Sequence, residues 1–121
     1  MEIQLLINNQ GVDAEDGAVF ERQSPVTKDV VTRAAAGKAI DVDKAVAAAE
    51  AAFPAWSAMG PGLRRKILND CADALEARSK DFIKIGQAET GGTATWYGFN
   101  VMLAAGMLRE AASMTTQIKG E

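Results

Sequence analysis

Two hydrophobic patterns divide the chain near residue 40. Before that point, short apolar runs alternate with residues that favour turns. The apolar residues 4–8 (QLLIN) are followed by a predicted turn at Asn9-Gln10-Gly11, and Asp16-Gly17 marks a second turn. "AVFER" and "DVVTRAAA" are two further strand candidates, separated by a turn at Pro25. Residues 1–40 are therefore predicted to be β-rich, as a β-meander or a pair of hairpins.

From Asp41 onward the apolar residues recur at helical spacing, so residues 41–121 are predicted to be helical. Asp41 is the predicted N-cap of the first helix. Pro54 is expected to kink or end it, because proline lacks a backbone N–H. The aromatic pair Phe53 and Trp56 is predicted to be core, on the same face as four smaller residues: Val42, Ala45, Val46 and Ala49.

Two shorter helices follow. Pro61 suits the first turn of the second helix, and Ser79 is the predicted N-cap of the third. Gly91-Gly92 is predicted to close the third helix near Thr90; a phosphate-binding loop is disfavoured because a helix rather than a strand precedes the glycines. The predicted buried stripe comprises Ile67, Cys71, Ala74, Leu75 and Phe82.

The last predicted helix, residues 93–118, is apolar on most sides. No charged residue occurs from Thr90 through Leu108. Such a helix must be surrounded by protein or lipid, and the interruptions at Gly98, Asn100 and Gly106 argue against lipid. Both glycines are predicted to let neighbouring backbones approach closely. Two explanations for the apolar surface stay open: the chain is a piece of a larger protein, or it forms an oligomer through this helix.

Composition excludes several classes of function. A net charge of −3 and a pI near 5.0 argue against a nucleic-acid partner, and the run Arg64-Arg65-Lys66 is predicted to be a solvated helix face. The absence of histidine removes His-dependent nucleophiles and His-ligated zinc. Cys71 is the single cysteine and is predicted to be core rather than a nucleophile. The N-terminus lacks the features of a signal peptide, so a cytoplasmic location is expected.

Four stretches, in order, resemble the N-terminal quarter of the NAD(P)-dependent aldehyde dehydrogenase superfamily. They are "LLINNQGVDAEDGAVFERQSPVTKDVV", "AVAAAEAAFPAWSAM", "GLRRKILNDCADALEARSKDF" and "ETGGTATWYGFNVMLAAGMLREAA". The last is most similar to the salicylaldehyde and vanillin dehydrogenase branch. The resemblance implies an α/β fold with a Rossmann-type cofactor domain, of which residues 1–121 are an incomplete N-terminal segment, mainly α-helical after its β-hairpins.

The resemblance also implies a function for the intact protein. An aromatic aldehyde would be oxidised to a carboxylic acid with NAD or NADP, through a cysteine nucleophile and a glutamate base that this chain does not contain. No catalytic, cofactor-binding or metal-binding residue is predicted here, and the chain alone is expected to be inactive and to bind no cofactor. The intact enzyme is expected to be a homo-oligomer without nucleic-acid or membrane partners.

One face of the last helix lines the aldehyde's entry path in the family. The resemblance therefore implies that the substrate-binding residues of this chain are Trp96, Phe99, Asn100, Leu103 and Met107, which helical spacing puts in one arc. An aromatic and aliphatic wall suits an apolar ring, and Asn100 offers a hydrogen bond to a ring substituent. The alternative is that these five residues only pack against other parts of the protein and do not contact the substrate. The alternative function is a stand-alone helical interaction or oligomerisation module without catalysis.

Overall fold

The computed structural model describes residues 1–117, so Ile118, the predicted end of the last helix, lies outside the described residues. The elements in chain order are β1 (Glu2–Ile3), β2 (Leu5–Ile7), β3 (Gln10–Val12), β4 (Val19–Gln23), β5 (Val30–Ala35), α1 (Ala39–Ser57), α2 (Pro61–Ala77), α3 (Ser79–Thr90) and α4 (Ala94–Met114). They fall into two compact units: Met1–Ala58 holds the strands and α1, and the second unit, which begins at Met59, holds the other helices.

The first unit contains two small sheets. β5 is the central strand of a three-stranded sheet, antiparallel to β4 and parallel to β1, while β2 and β3 form a separate hairpin. The predicted strands are thus confirmed, and so is the predicted pair of hairpins, formed by β2–β3 and β4–β5; the alternative, a meander, does not include the parallel pairing of β1 with β5. The first turn is at Asn8 and Asn9, both left-handed (φ 51° and 60°), one residue before the predicted position. Asparagine tolerates this conformation, which the tight hairpin requires at both turn positions.

The prediction that Asp41 is the N-cap of α1 is wrong: Asp41 is a buried residue within the first turn of the helix. The helix begins at Ala39, and the Asp41 carboxylate accepts hydrogen bonds from the backbone N–H of Lys38 (2.9 Å) and of Glu15 (3.0 Å). One side chain thereby satisfies a backbone donor at the helix start and holds the loop between β3 and β4.

The prediction of a buried apolar face on α1 is wrong for the described chain. Phe53 and Trp56 are exposed, as are Val42 and Val46, because α1 packs in the first unit mainly against β2, which leaves most of this face uncovered. Pro54 does not end the helix, which continues to Ser57. Proline removes only its own N–H, and its carbonyl still accepts a hydrogen bond from the Ala58 N–H at 3.1 Å.

In the second unit, α4 packs against both α2 and α3. The predicted start of α2 at Pro61 and the predicted end of α3 near Thr90 are confirmed. Gly91 closes α3 in the left-handed conformation (φ 73°). Arg78, rather than Ser79, is the N-cap residue of α3. Thr93 caps α4 by accepting a hydrogen bond from the Trp96 N–H at 3.2 Å. No helix within residues 1–117 combines the length and hydrophobicity needed to cross a membrane.

The buried stripe of α2 is rotated by about one residue from the prediction. Cys71 and Ala74 are exposed, whereas Ala72 is fully buried and Leu75 is half-buried. The residues that α4 buries are themselves small, so an alanine on α2 lets the two helices approach closely. Cys71 is therefore a surface thiol, and the prediction that it is core is wrong.

Candidate functional site

The five predicted site residues lie together on one side of α4, which we call the outer face: Trp96, Phe99, Asn100, Leu103 and Met107. Trp96 is 58% exposed and Met107 65%, and Phe99 and Leu103 are nearly half exposed. The opposite side of the helix packs inward through Val101, Ala105 and Ala112, all buried. The structure therefore brings the five residues together on one side of α4, with their four large apolar side chains turned outward.

The outer face combines aromatic surface with one amide. The Trp96 and Phe99 rings lie 6.1 Å apart between centroids, tilted by 32°. Asn100 Nδ2 donates to the Trp96 carbonyl at 2.7 Å, which fixes the amide orientation because a carbonyl oxygen can only accept. Asn100 Oδ1 has no protein partner in the part of the chain that the structure describes. The face therefore offers two aromatic rings beside an oriented hydrogen-bond acceptor.

An open apolar groove of about 320 Å³ runs beside the outer face, between α4 and the other helices of its unit. Its lining comprises Leu75, Phe82, Ile85, Gly86, Tyr97, Asn100, Val101 and Ala104. Asn100 belongs both to the outer face and to the groove. This volume is at the small end of the range for ligand pockets.

Tyr97 does not belong to the outer face but fixes the start of α4. Its ring lies between two glycines: a Cβ on Gly86 would come within 2.4 Å of the ring, and one on Gly92 within 2.9 Å. Its hydroxyl is hydrogen-bonded to Thr90 Oγ1. The close approaches predicted at Gly98 and Gly106 are wrong for the described chain, since a Cβ on Gly98 would make only an ordinary contact and one on Gly106 none.

An ion-pair cluster, which we call the Arg109 fork, fixes the other end of α4. Arg109 binds both carboxylate oxygens of Glu76 (2.9 and 2.7 Å) and one oxygen of Asp73 (2.8 Å). Hydrogen bonding to Glu76 and Asp73 raises the pKa of Arg109, and the same contact lowers the pKa of Glu76. Sequence reasoning missed the fork because its partners are 33 and 36 residues away along the chain.

Arg65 makes a second link from α2 to the end of α4. Its Nε donates to the Ala112 carbonyl at 3.1 Å and its Nη2 to Thr116 Oγ1 at 2.9 Å. The prediction of a solvated face therefore fails for Arg64 and Arg65, which are both half-buried, whereas Lys66 pairs with Asp70 on the surface of α2. A carbonyl at a helix C-terminus carries partial negative charge, so a guanidinium is a favourable partner there.

Neither a metal cluster nor a phosphate cradle at Gly91-Gly92 is found among the described residues. Residues 1–117 contain no cluster of three or more His, Cys, Asp or Glu side chains able to hold a metal ion. Gly91-Gly92 ends a helix, and the space beside Gly92 is filled by Tyr97, so this segment does not form a phosphate cradle. We therefore assign none of the described residues a role in a cofactor-dependent catalytic step.

Comparisons with known proteins agree along the whole chain. The family model described as "Aldehyde dehydrogenase family" matches residues 12–121. A vanillin dehydrogenase of Pseudomonas fluorescens is 55% identical over 121 residues, covering all of this chain and 25% of that protein. The chain therefore spans about a quarter of the length of such relatives.

Solved structures give the same result. A salicylaldehyde dehydrogenase from Pseudomonas putida G7, complexed with salicylaldehyde, matches with a TM-score of 0.96 at 44% identity. PnpE in complex with nicotinamide adenine dinucleotide matches with a TM-score of 0.94 at 38% identity. Each covers 100% of this chain, which spans 25% of each. This chain belongs to the aldehyde dehydrogenase family.

Proposed function

We propose that this chain is part of an enzyme that oxidises an aromatic aldehyde to a carboxylic acid with NAD or NADP, and that the outer face of α4 contacts the aldehyde's ring. The observation that carries the proposal is the outward orientation of Trp96, Phe99, Leu103 and Met107. The similarity of the whole chain to a vanillin and a salicylaldehyde dehydrogenase supports an aromatic substrate.

The outer face has the chemistry that a substituted aromatic ring needs. Covering an exposed aromatic or Met side chain with a ring removes apolar surface from water and contributes about 1.5–3 kcal/mol for full burial. The Trp96 and Phe99 rings, tilted by 32°, offer a substrate ring two aromatic surfaces of different orientation. The free Oδ1 of Asn100 can accept a hydrogen bond from a ring hydroxyl, so the face both binds the ring and favours one orientation.

Aldehyde oxidation also needs a hydride acceptor, and we propose NAD or NADP for the intact enzyme. PnpE, solved with nicotinamide adenine dinucleotide, supports this choice of cofactor. Because the described residues supply neither a cofactor site nor an activated nucleophile, the 121-residue chain alone is expected to be inactive. A homo-oligomeric enzyme in the cytoplasm completes the proposal; the single exposed cysteine fits a reducing compartment.

The test is a steady-state assay of the protein purified from its source cells. Reduction of NAD and of NADP is followed with hydroxybenzaldehydes and with short aliphatic aldehydes. We expect aromatic aldehydes to have the higher kcat/KM. No oxidation of any aldehyde by either cofactor would contradict the proposed function.

Two methionines of α4 provide a matched pair for the site. Met107 lies on the outer face and is 65% exposed; Met102 is 60% exposed but lies outside the arc of the five residues. Met107→Ala should lower kcat/KM for the aromatic aldehyde about tenfold, through loss of apolar contact. Met102→Ala should leave it nearly unchanged. Equal effects of the two substitutions would refute a substrate role for the outer face.

The second candidate function is the helical interaction module without catalysis. The specific observation in its favour is that α1 and α4 both expose large apolar side chains, including Phe53 and Trp96. The intact mass of the protein made by its source cells separates the two candidates. A mass near 12.8 kDa together with a folded oligomer would favour the module, and a mass several times larger would favour the dehydrogenase.

A further inference from the structure

Hydrophobic burial alone does not decide the rotation of α4 about its own axis, because large apolar side chains lie on both sides of the helix. Its inward side carries the half-buried Tyr97 and Leu108 beside smaller buried residues, while Trp96 and Phe99 face outward. Burying the outward side instead would also remove a large apolar area from water. A helix that is apolar nearly all round therefore has a competing rotation, and specific interactions must select the one observed.

The Arg109 fork supplies such a selection. Its three hydrogen bonds join one guanidinium on α4 to two carboxylates on α2, and the Glu76 pair is bidentate. Arg109 is the first charged residue after the long uncharged stretch of α4. Turning the helix by one residue would move its guanidinium by about 100° around the axis and break the planar pairing.

We propose that Arg109 is a positioning residue, whose fork with Glu76 and Asp73 holds α4 in the rotation that presents the outer face to the substrate. The bidentate geometry requires an arginine, since a lysine ammonium cannot reproduce two parallel N–H···O contacts. The importance of the Arg109 fork for an aromatic aldehyde rests on the function proposed above. The effect of the fork on the orientation of α4 is independent of that function.

The orientation is tested first, independently of activity. Trp56→Phe leaves Trp96 as the single tryptophan of the 121-residue chain, and acrylamide quenching then reports how exposed Trp96 is. Arg109→Met should lower the quenching constant and shift the emission to shorter wavelength while far-UV circular dichroism keeps its helical signal. The control is Lys66→Met, which removes an ion pair to Asp70 within α2; among residues 1–117, Lys66 has no bond to α4.

The same variants are then assayed in the enzyme from its source. If half the molecules adopt the competing rotation, KM for the aromatic aldehyde rises about twofold at unchanged kcat, because only the competent fraction binds. Exchanging the charges (Arg109→Glu with Glu76→Arg) should restore both the quenching and KM toward the starting protein. Arg109→Lys should fall between the starting protein and Arg109→Met.

The outcomes separate this proposal from the proposed function. Unchanged quenching and KM in Arg109→Met would overturn the positioning role. If no aldehyde is oxidised by the unaltered enzyme, the proposed function fails, and the quenching result alone decides the role of Arg109. If Arg109→Met loses its helical signal, Glu76→Gln takes its place, since it removes the bidentate partner but leaves Asp73; quenching equal to that of the starting chain would then reject the proposal.

Discussion

A Cβ at Gly86 has no room in this structure, so Gly86→Ala should destabilise the second unit even though alanine is the better helix former. The added atom would lie 2.4–2.6 Å from three carbons of the Tyr97 ring. The ring cannot simply move away, because Gly92 borders its other edge and the Tyr97 hydroxyl is bonded to Thr90. Either the ring leaves its place or α3 and α4 separate.

The magnitude follows from three contributions. Overpacking costs about 1–3 kcal/mol, and a lost Tyr97–Thr90 hydrogen bond costs about 1 kcal/mol. The gain in helix propensity offsets about 1 kcal/mol of that cost. The free energy of unfolding should therefore fall by about 1–3 kcal/mol, which for a chain of this size lowers Tm by about 4 °C per kcal/mol. Urea denaturation of the Trp56→Phe chain, followed by Trp96 fluorescence, measures the loss in the second unit.

Gly62→Ala is the matched control. It makes the same change in α2, but a Cβ there meets nothing within 4 Å, so it should stabilise the chain by up to about 1 kcal/mol. Combining Gly86→Ala with Tyr97→Leu removes the ring, and the alanine should then become neutral or stabilising. If Gly86→Ala stabilises the chain while Tyr97 is present, the packing argument is refuted.

Three further predictions concern single side chains. The contact with Arg109 lowers the pKa of Glu76 below its ordinary 4.5. The ionised Glu76 therefore stabilises the folded chain above that pH, and this stabilisation is lost on acidification. The midpoint of urea denaturation, measured against pH, should fall less steeply in acid for Glu76→Gln than for the starting chain. Asp41→Ala strands the backbone donors that the carboxylate satisfies and should cost about 2 kcal/mol in urea denaturation, against under about 0.5 kcal/mol for the exposed Asp43→Ala. Cys71 should react with a thiol reagent about as fast in the folded chain as in urea, and strong protection on folding would contradict its surface position.

Local signals predicted the elements well because the residues that end helices act within one turn. Pro61, Thr90 and Gly91 each mark a boundary that the structure confirms. The predictions were wrong where contacts between residues distant in the chain determine the structure. Asp41 looks like an N-cap by its type and position, yet its carboxylate serves a backbone N–H 26 residues earlier, and the helix starts before it.

The face that each helix buries was harder to predict. On α2, a stripe through Cys71 and a stripe through Ala72 differ by one residue, and only the close packing of α4 distinguishes them. Helical periodicity did place the five residues of the outer face in one arc. It did not reveal the Arg109 fork or the packing of the Tyr97 ring between Gly86 and Gly92, because the partners of both side chains lie outside α4.

The central claim is that the outer face of α4 contacts an aromatic aldehyde. A benzaldehyde carrying a photoreactive diazirine, cross-linked to the enzyme from its source and located by mass spectrometry, tests it most directly. We predict labels on Phe99, Leu103 or Met107 that excess hydroxybenzaldehyde prevents. Competable labelling confined to residues outside α4 would contradict the claim.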